Sequence, residues 1–397
     1  MNILIITSRY CPSADANGIC SKNIALELKK RGHRVKIIAL HYDNLITEEK
    51  IDDILILKIP FKKMKDKKNL YDYFKRFVFW PYISYFFLIK VVYNTLKFKY
   101  LDDVEILIPV IKPNDHLKIA YFFKKLKPNI KVIPYILDSL DSELNFSDNF
   151  KFFNFRNFKI RRMKKLKEQT NKISEKIIKM KYDSTEDKIL GLKTKYFDIP
   201  LLENRNFNLE KIKEANEINI VYAGTLSEEY RDPRIFFEVL DEVKIEKKIK
   251  LEIYGKNNFI NSYISLKNKK DFIINKGEIN HNEILEKYKK ANFLLSIGNK
   301  GTKQVPSKIF EYMSLGKPII HFYFEENDSS LEYLRKYPYT IFLKANEEIE
   351  KLKEELENKL TSFDTKLVKY EEIKKKLIEN TPIPFVEYLE NLEKCDV

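Results

Sequence analysis

The sequence predicts an α/β protein in which two halves of similar size each contain a parallel sheet. Short apolar segments alternate with helical segments in both halves, which is the pattern of β-loop-α-β units. Residues 200–217 lack clear periodicity, as is typical of a linker between domains. Six of the nine glycines fall between residues 224 and 316, several of them directly after an apolar segment. Because open α/β sheets bind ligands at the carboxyl ends of their strands, this glycine pattern indicates a binding edge in the second half.

The first half opens with one complete β-loop-α-β unit. "MNILIITS" is a short apolar strand, "RYCPSADANG" is a polar loop, and "VKIIAL" is the next apolar strand. Between the two strands, Ile24, Ala25 and Leu28 have helical spacing, and Gly32 ends the predicted helix. The later predicted elements of this half are the strand "VEILIPVI", the helix "HLKIAYFFKKLKP" and the strands "KVIPYILD" and "KIIKMKYD".

The second half repeats the alternation after the linker. The predicted strands are "INIVYAG", "IKLEIYG", "DFIINKG", "NFLLSIGN" and "KPIIHF". The predicted helices are "PRIFFEVLDEVK", "HNEILEKYKKA" and "PSKIFEYMSLG", and the tail after about residue 346 is charged and helical. We therefore expect a first domain at 1–200, with an aromatic and basic insertion at 60–105, and a second domain at 217–375.

The composition is that of a globular and basic chain. Hydrophobic residues make up 44% of it and aromatic residues 13%, which is enough for packed cores and excludes a disordered protein. There are 73 lysines and arginines against 58 aspartates and glutamates, a net charge of +15 that favours anionic partners. Cys11, Cys20 and Cys395 have no metal-ligand spacing and fit a reducing, cytoplasmic location. The start of the chain lacks the pattern of a signal peptide.

The segment "QVPSKIFEYMSLGKPII", residues 304–320, carries the clearest chemical signal. Pro306 suits the first turn of a helix, and helical spacing puts Ser307 and Glu311 one turn apart, with Lys308 adjacent, opposite an apolar face. The N–H groups of a helix start bind phosphate, and a carboxylate one turn further on accepts two hydrogen bonds from a ribose diol. From spacing alone two interpretations stay open, a nucleotide site or a surface helix with a solvated glutamate.

This segment resembles the donor site of the family 4-like group of glycosyltransferases with the GT-B fold. In that group a helix that opens with P-S-K carries the glutamate that binds the nucleotide ribose. The resemblance assigns this role to Glu311 and places Pro306, Ser307 and Lys308 beside the donor. The opening "MNILIITSRYCPSADANGICSKNIALELKKRGHRVKIIAL" resembles the first βαβ unit of the same group, whose loop glycine near the donor phosphate maps to Gly18.

Two further stretches carry the resemblance. "VYAGTLSEEYRDP" resembles the first strand and loop of the nucleotide-binding half, which implies donor contacts for Gly224 and Thr225 and a pyrophosphate contact for Arg231. "PNDHLKIAYFFKKLKPNIKVIPYILDSLD" resembles a segment whose histidine and aspartate line the cleft, which implies catalytic roles for His116 and Asp138.

The resemblance also implies an architecture and an activity. The expected architecture is two Rossmann-like domains that face an interdomain cleft, with a C-terminal helix at 376–397 packing back on the first domain. The expected activity is transfer of a sugar from a nucleotide-diphosphate sugar to a saccharide or lipid-linked acceptor, with retention of configuration, in surface polysaccharide or glycoconjugate synthesis. The chain departs from the group at Lys303, where many relatives have glutamate, and at Gly224-Thr225, where Gly-Arg is common.

The sequence predicts no metal and no other cofactor. A nucleotide-diphosphate sugar needs positive charge around its phosphates, and the closest approach to an acidic D-x-D cluster is "LDSLD" at 137–141, on the acceptor side. Arginine, lysine and a helix dipole are therefore expected to supply that charge.

Residues 71–100 raise the question of a membrane. The mostly apolar part of this aromatic stretch, from Phe77 to Ile89, has 13 residues, whereas a spanning helix needs ~20. The flanking lysines, and the basic stretch "RNFKIRRMKKLKEQ" at 156–169, fit a segment that lies on the inner face of the cell membrane. A buried helix pair beside the first sheet fits the same pattern, and both interpretations stay open.

Two other functions remain as alternatives. A nucleotide-sugar 2-epimerase of the same fold would need several carboxylates and a histidine around the sugar. A non-catalytic binding or partner subunit is the other alternative. A nucleic-acid partner is not expected, because it would leave the P-S-K-x-F-E-Y segment without a role.

Overall fold

In the structure, a computed structural model, the chain divides into two units. The first unit is Met1–Pro200 with Pro382–Val397, and the second is Leu201–Thr381. The structure describes residues 1–10, 15–41, 45–60, 78–81, 85–111, 113–137, 140–141, 156–181, 187–204, 216–266, 272–301, 305–362 and 367–394.

The second unit extends beyond the domain bounds that the sequence predicts. Its first residues pair with its last part, because the Leu202 N–H donates to the Asn380 carbonyl at 2.9 Å. The Glu203 N–H donates to the Ser314 hydroxyl at 3.1 Å. Residues on both sides of the predicted 217–375 range are therefore part of this unit.

The first unit is built on a nine-stranded sheet. Its elements are β1 Asn2–Thr7, α1 Ala16–Lys30, β2 Arg34–His41, β3 Thr47–Ile51, β4 Ile54–Pro60, α2 Tyr85–Lys97, β5 Ile106–Ile111, α3 Asp115–Leu126, β6 Lys131–Val132, β7 Tyr135–Ile136, α4 Arg156–Ile173, β8 Ile177–Met180 and β9 Thr194–Phe197. The strand order is β3-β4-β2-β1-β5-β7-β8-β9, with β6 also paired to β5. Only the β3–β4 pair is antiparallel among the described strand pairs of this sheet.

Alternation along the strands separates the helices of this unit into two layers. Leu4 and Ile6 of β1 belong to the core that also contains residues of α2 and α3. Ile3 and Ile5 point to the opposite face because successive side chains of a strand alternate, and α1 contacts β1 there. Helices α2 and α3 therefore cover one face of the sheet, and α1 covers the other.

The second unit is built on a six-stranded parallel sheet. Its elements are β10 Glu217–Ala223, α5 Arg234–Glu242, β11 Lys248–Tyr254, α6 Asn258–Leu266, β12 Ile273–Gly277, α7 His281–Lys290, β13 Phe293–Ile297, α8 Lys308–Ser314, β14 Ile319–Tyr323, α9 Leu331–Leu334, β15 Thr340–Lys344, α10 Ile349–Thr361 and α11 Tyr370–Lys376. The order β12-β11-β10-β13-β14-β15 is that of a dinucleotide-binding sheet, and it reverses between β10 and β13. The two parallel sheets confirm the predicted α/β class.

The last helix, α12 Ile383–Lys394, belongs to the first unit. Arg31, just past α1, contacts Glu390 at 3.0 Å and Glu387 at 3.2 Å. The ring of Phe385 lies 5.0 Å from that of Tyr135. Charged and aromatic contacts thus hold this helix, which starts later than the predicted 376, on the first unit.

None of the helices in the described ranges combines the length and the apolar character needed to cross a bilayer.

Candidate functional site

A cavity of about 80 Å³ lies in the second unit at the carboxyl ends of β10 and β13. It is lined by Tyr222–Gly224, Leu295–Ile297, Pro306–Lys308, Arg231 and Tyr312. This is the point where the strand order reverses, which is where open α/β sheets bind their ligands. Five of the predicted donor-binding residues line this one cavity: Gly224, Arg231, Pro306, Ser307 and Lys308. A larger cavity of about 480 Å³ in the first unit contains none of the predicted residues.

Helix α8 begins later than the sequence predicts. Ser307 is its N-cap residue and its first residue is Lys308, so that Pro306 precedes the helix instead of opening it. The helix has only seven residues. A macrodipole is the sum of aligned peptide dipoles, so a short helix contributes less of it and the charged side chains carry more of the electrostatics.

Of the predicted polar face of α8, Glu311 is buried, whereas Ser307 is exposed and Lys308 is half-buried. Every residue from Ile309 to Ser314 is buried, including Glu311, which is 7% exposed. The Glu311 carboxylate lies 2.7 Å from the Lys308 ammonium. Of the two interpretations that the sequence leaves open for Glu311, the solvated surface glutamate is therefore wrong. A buried carboxylate needs a compensating partner, and Lys308 at the rim of the cavity supplies one.

Arg231 is fixed in place by neutral partners. Its Nε donates to the Asn299 side-chain oxygen, and its Nη1 to the Thr225 carbonyl at 3.5 Å. The Arg231 N–H donates to the Ser227 carbonyl at 2.9 Å, which closes the loop after β10. Because an amide and a carbonyl carry no charge, they orient the guanidinium without cancelling its positive charge. A cation that is oriented in this way suits a phosphate ligand.

Asn299, the partner of Arg231, and the residues packed near it were not predicted from the sequence. Gly298 lies against Asp328, where an added Cβ would come within 1.9 Å of a carboxylate oxygen. On the neighbouring strand, His321 Nδ1 lies 3.1 Å from the hydroxyl of Ser296. Burial lowers the pKa of His321 to about 4, although Asp328 acts in the other direction. The signal for Asn299 in the sequence was its place directly after a strand that ends in glycine.

Tyr222 completes the wall of the cavity beside Arg231. Its hydroxyl donates to the Thr225 carbonyl at 3.4 Å. Burial raises the pKa of Tyr222 to about 12, against the influence of Arg231. The side chain is therefore a neutral phenol at physiological pH and does not offset the positive charge.

The other predicted residues belong to the first unit. Gly18 is buried in the first turn of α1, where its N–H donates to the capping Asp15 carboxylate at 2.9 Å. His116 is fully buried at the start of α3, and its Nδ1 donates to the Val110 carbonyl at 2.5 Å. Burial lowers the pKa of His116 to about 4. Asp138 lies outside the described residues, and the donor and catalytic roles of this group stay predictions.

The described residues contain no group of three or more histidine, cysteine, aspartate or glutamate side chains that are placed to hold a metal ion.

Comparison with known proteins identifies the class of fold. No family model matches the sequence, and no curated protein resembles it in sequence. Among solved structures, sucrose-phosphate synthase from Thermosynechococcus elongatus matches with a TM-score of 0.63 and 10% identity, over 99% of this chain and 98% of that chain. The fold is therefore that of the GT-B glycosyltransferases.

Two further structures extend the match. HepE from Anabaena, in complex with UDP and glucose, has a TM-score of 0.60 and 10% identity over the full length of both chains. WaaG, a glycosyltransferase involved in lipopolysaccharide biosynthesis, has a TM-score of 0.56 and 11% identity, over 97% of this chain and 99% of that chain. At these identities the likeness establishes the fold and leaves the substrates open.

Proposed function

We propose that the protein is a glycosyltransferase that uses a nucleotide-diphosphate sugar as donor. The observation that carries this proposal is that Arg231 and Lys308 line one cavity at the strand-order reversal of a GT-B fold, with Glu311 paired to Lys308. The proposed acceptor is a saccharide or a lipid-linked saccharide in surface polysaccharide or glycoconjugate synthesis. The solved complex of HepE with UDP and glucose supports UDP-sugars as the first donors to test.

The size of the cavity indicates which part of the donor it holds. Pockets that enclose a whole small molecule have ~300–1,000 Å³, whereas this one has about 80 Å³. We infer that it takes the diphosphate, while the base and the sugar lie outside it. Glu311, one turn into α8, is then the residue assigned to the ribose hydroxyls.

The proposed mechanism stabilises charge that appears on the leaving group. Cleavage of the bond between the sugar and the diphosphate leaves additional negative charge on the phosphate oxygens. Arg231 is already oriented by Asn299 and Thr225, so little reorganisation is needed when that charge develops. The proposal assigns charge neutralisation to Arg231 and Lys308 and assigns no step to a metal. Asp138 and His116 stay assigned to the acceptor, and the transfer is proposed to retain configuration.

The proposed location is the cytoplasm, with contact to the inner face of the cell membrane. A lipid-linked acceptor would bring the enzyme to that surface. The stretch at residues 71–100 is the proposed point of contact, and helix α2 is its main described part.

Calorimetric titration with UDP and UDP-sugars tests the proposal. We expect the wild type to bind. In Glu311→Ala the binding free energy should weaken by about 1–3 kcal/mol, because a hydrogen bond to a charged group is removed. Glu332→Ala is the matched control, since Glu332 is an exposed carboxylate in the same unit. Its affinity should equal that of the wild type.

Two outcomes would contradict the proposal. One is the absence of binding by every nucleotide sugar in a panel of bases and sugars. The other is an unchanged affinity of a folded Glu311→Ala variant, which would remove the role of that residue. Incubation of the donor without acceptor separates the epimerase alternative, since an epimerase alters the sugar under those conditions and a transferase needs the acceptor.

A further inference from the structure

Helix α2 presents an apolar stripe to solvent although its other side is already in the core. Phe87, Leu88 and Val91 are buried against the first sheet. The outward residues follow each other at intervals of three and four positions and therefore form one line along the helix. With their exposed fractions they are Phe86 (79%), Ile89 (65%), Tyr93 (62%) and Leu96 (47%).

The neighbouring helices extend this surface. Helix α3 contacts α2, and α4 contacts α3. Their exposed apolar side chains are Phe122 (37%) and Leu126 (53%) on α3 and Ile160 (44%) on α4. At a rise of 1.5 Å per residue, the line on α2 alone is about 15 Å long. Exposed apolar groups in this number on adjacent elements are typical of an interaction surface.

Lysines from α3 and α4 gather around Tyr121 beside these apolar residues. The ammonium groups of Lys118 and Lys125 lie 5.0 Å and 4.8 Å from the centre of its ring. Burial lowers the pKa of Lys118, and the nearby positive charges of Lys165 and Lys125 lower it further. A hydrogen bond from Lys125 lowers the pKa of Tyr121, and Lys118 and Lys172 add to this effect. Four cations therefore share one patch of surface.

The described parts of these three helices contain few acidic residues, although Lys167 is paired with Asp141 and Asp187 from other segments. Helix α4 has eight basic residues and one acidic residue, Glu168. In α3 the single acidic residue, Asp115, is buried, and α2 has none. In the described parts of these three helices Glu168 is thus the one exposed acidic side chain, so the surface has positive charge next to apolar groups.

We propose that the outer surface of α2, α3 and α4 docks on a lipid bilayer that contains anionic lipids. The α2 stripe would enter the boundary between headgroups and acyl chains, and the lysines would contact the headgroups. Charge complementarity selects a negatively charged partner, and the aliphatic Ile89 and Leu96 select one with an apolar interior. A nucleic acid offers aromatic bases for stacking but no interior for such side chains. The proposal deepens the membrane contact of the proposed function and rests on that part of it, but it does not depend on the identity of the donor.

The structure changes which residues test this idea. Trp80 is prominent in the aromatic stretch of the sequence, yet it is 7% exposed and packs with Met163 and Leu166. Its replacement would therefore test folding. Ile89 and Leu96 are exposed, and their replacement leaves the core intact.

The experiment is sedimentation with vesicles of phosphatidylcholine, with and without phosphatidylglycerol. The full-length wild type should bind only the vesicles with phosphatidylglycerol, and added salt should weaken the binding. Ile89→Ser with Leu96→Ser should reduce the bound fraction at least tenfold. Lys118→Glu with Lys125→Glu should reduce it by more than tenfold, since each charge near such a surface contributes roughly fivefold.

Two matched controls should bind like the wild type. Leu192→Ser removes a fully exposed leucine elsewhere in the first unit. Lys375→Glu with Lys376→Glu reverses two exposed lysines on α11 in the second unit. Urea unfolding of each variant shows that it is folded.

Three results would overturn the proposal. The first is that the wild type does not bind vesicles with phosphatidylglycerol. The second is that the α2 and lysine variants bind as well as the controls. In the third, light scattering shows a wild-type dimer that Ile89→Ser with Leu96→Ser converts to monomer, which makes this surface a contact between copies of the chain. Because vesicle binding is measured without nucleotide, failure here leaves the proposed donor chemistry standing, and the reverse also holds.

Discussion

Helices α8 and α2 depart from the usual distribution of side chains in opposite directions. Helix α8 buries Glu311 and Ser314, which are polar, whereas α2 exposes Phe86 and Ile89, which are large and apolar. Apolar residues on a surface are common one at a time, so the informative observations are buried polar groups and grouped exposed apolar groups. Both helices, one in each unit, therefore carry informative departures: α8 has buried polar side chains, and α2 has a group of exposed apolar side chains.

The polar side chains buried in α8 and just past it are stabilised by hydrogen bonds to backbone carbonyl groups. The Ser314 hydroxyl donates to the Phe310 carbonyl at 2.7 Å. Just past the helix, the Lys317 ammonium donates to the carbonyls of Lys289 and Ala291, both at 2.6 Å. Burial lowers the pKa of Lys317 to about 8. The exposed face of α2 needs no such support, because its inner side alone anchors it to the sheet.

The largest expected effect comes from disturbing the end of α8. Gly316 has a φ of +68°, and a Cβ there would come within 2.3 Å of the Val368 carbonyl oxygen. We expect Gly316→Ala to lower the free energy of unfolding by about 2–5 kcal/mol, because left-handed backbone strain and overpacking add. Urea unfolding measures this change.

Gly301→Ala separates the two causes. Gly301 has a φ of +70° but no heavy atom within 4 Å of an added Cβ, so it carries the backbone strain alone. We expect Gly301→Ala to lower the free energy of unfolding by about 1–2 kcal/mol. Equal losses in the two variants would show that α8 is not held by close packing at its end.

The pH dependence of stability shows what it costs to bury His116, a polar group of the first unit. His116 has a pKa of about 4 in the folded protein, below its ordinary 6.5, because burial disfavours the charged imidazole. Between these two pH values the unfolded chain binds a proton that the folded chain does not. Stability is therefore lost as the pH falls from about 6.5 towards 4, by up to ~1.4 kcal/mol per pH unit.

The measurement is the free energy of unfolding at pH 7 and pH 5. The wild type should lose roughly 2 kcal/mol through this group, and His116→Gln should lose that much less. An identical loss in both proteins would mean that His116 accepts a proton in the folded state.

The smallest expected effect is on α2, where two adjacent aliphatic side chains point opposite ways. Ile89 faces solvent and Leu88 faces the core. Ile89 is 65% exposed and Leu88 is 1% exposed. We expect Ile89→Ser to change the free energy of unfolding by no more than about 0.5 kcal/mol, as for other surface substitutions. Leu88→Ala, which leaves a cavity, should cost about 2–5 kcal/mol. A comparable loss in Ile89→Ser would show that this side chain is covered in the folded protein.

The sequence was sufficient to predict those features that depend on residues close together in the chain. The alternation of strands and helices predicted both parallel sheets. Pro306, Ser307 and Lys308, which the P-S-K motif singled out, line one cavity together with Arg231. Partners that meet only through the sheet had no such signal. Ser296 faces His321 because β13 and β14 pair in that register.

The sequence alone also did not determine which side chains of an apolar stretch face the core and which face solvent. The sequence from Phe77 to Ile89 is almost continuously apolar, so its pattern did not separate Trp80, which is buried, from Phe86, which is exposed. Four strands were also missed, namely β3, β4, β9 and β15, and the edge strand β3 shows one reason. Thr47–Ile51 has charged residues at three of its five positions and pairs only with β4. Such strands are defined by their neighbours and not by their own apolar content.

The return of α12 to the first unit has a consequence for biosynthesis. A ribosome that has finished residue 200 must translate the whole of Leu201–Thr381 before it reaches Phe385. At ~5–20 residues per second this delay lasts on the order of ten to forty seconds. Throughout that interval the rings of Tyr135 and Phe197, which later contact Phe385, have no cover from it. The nascent first unit is thus a candidate for chaperone protection until its final helix emerges.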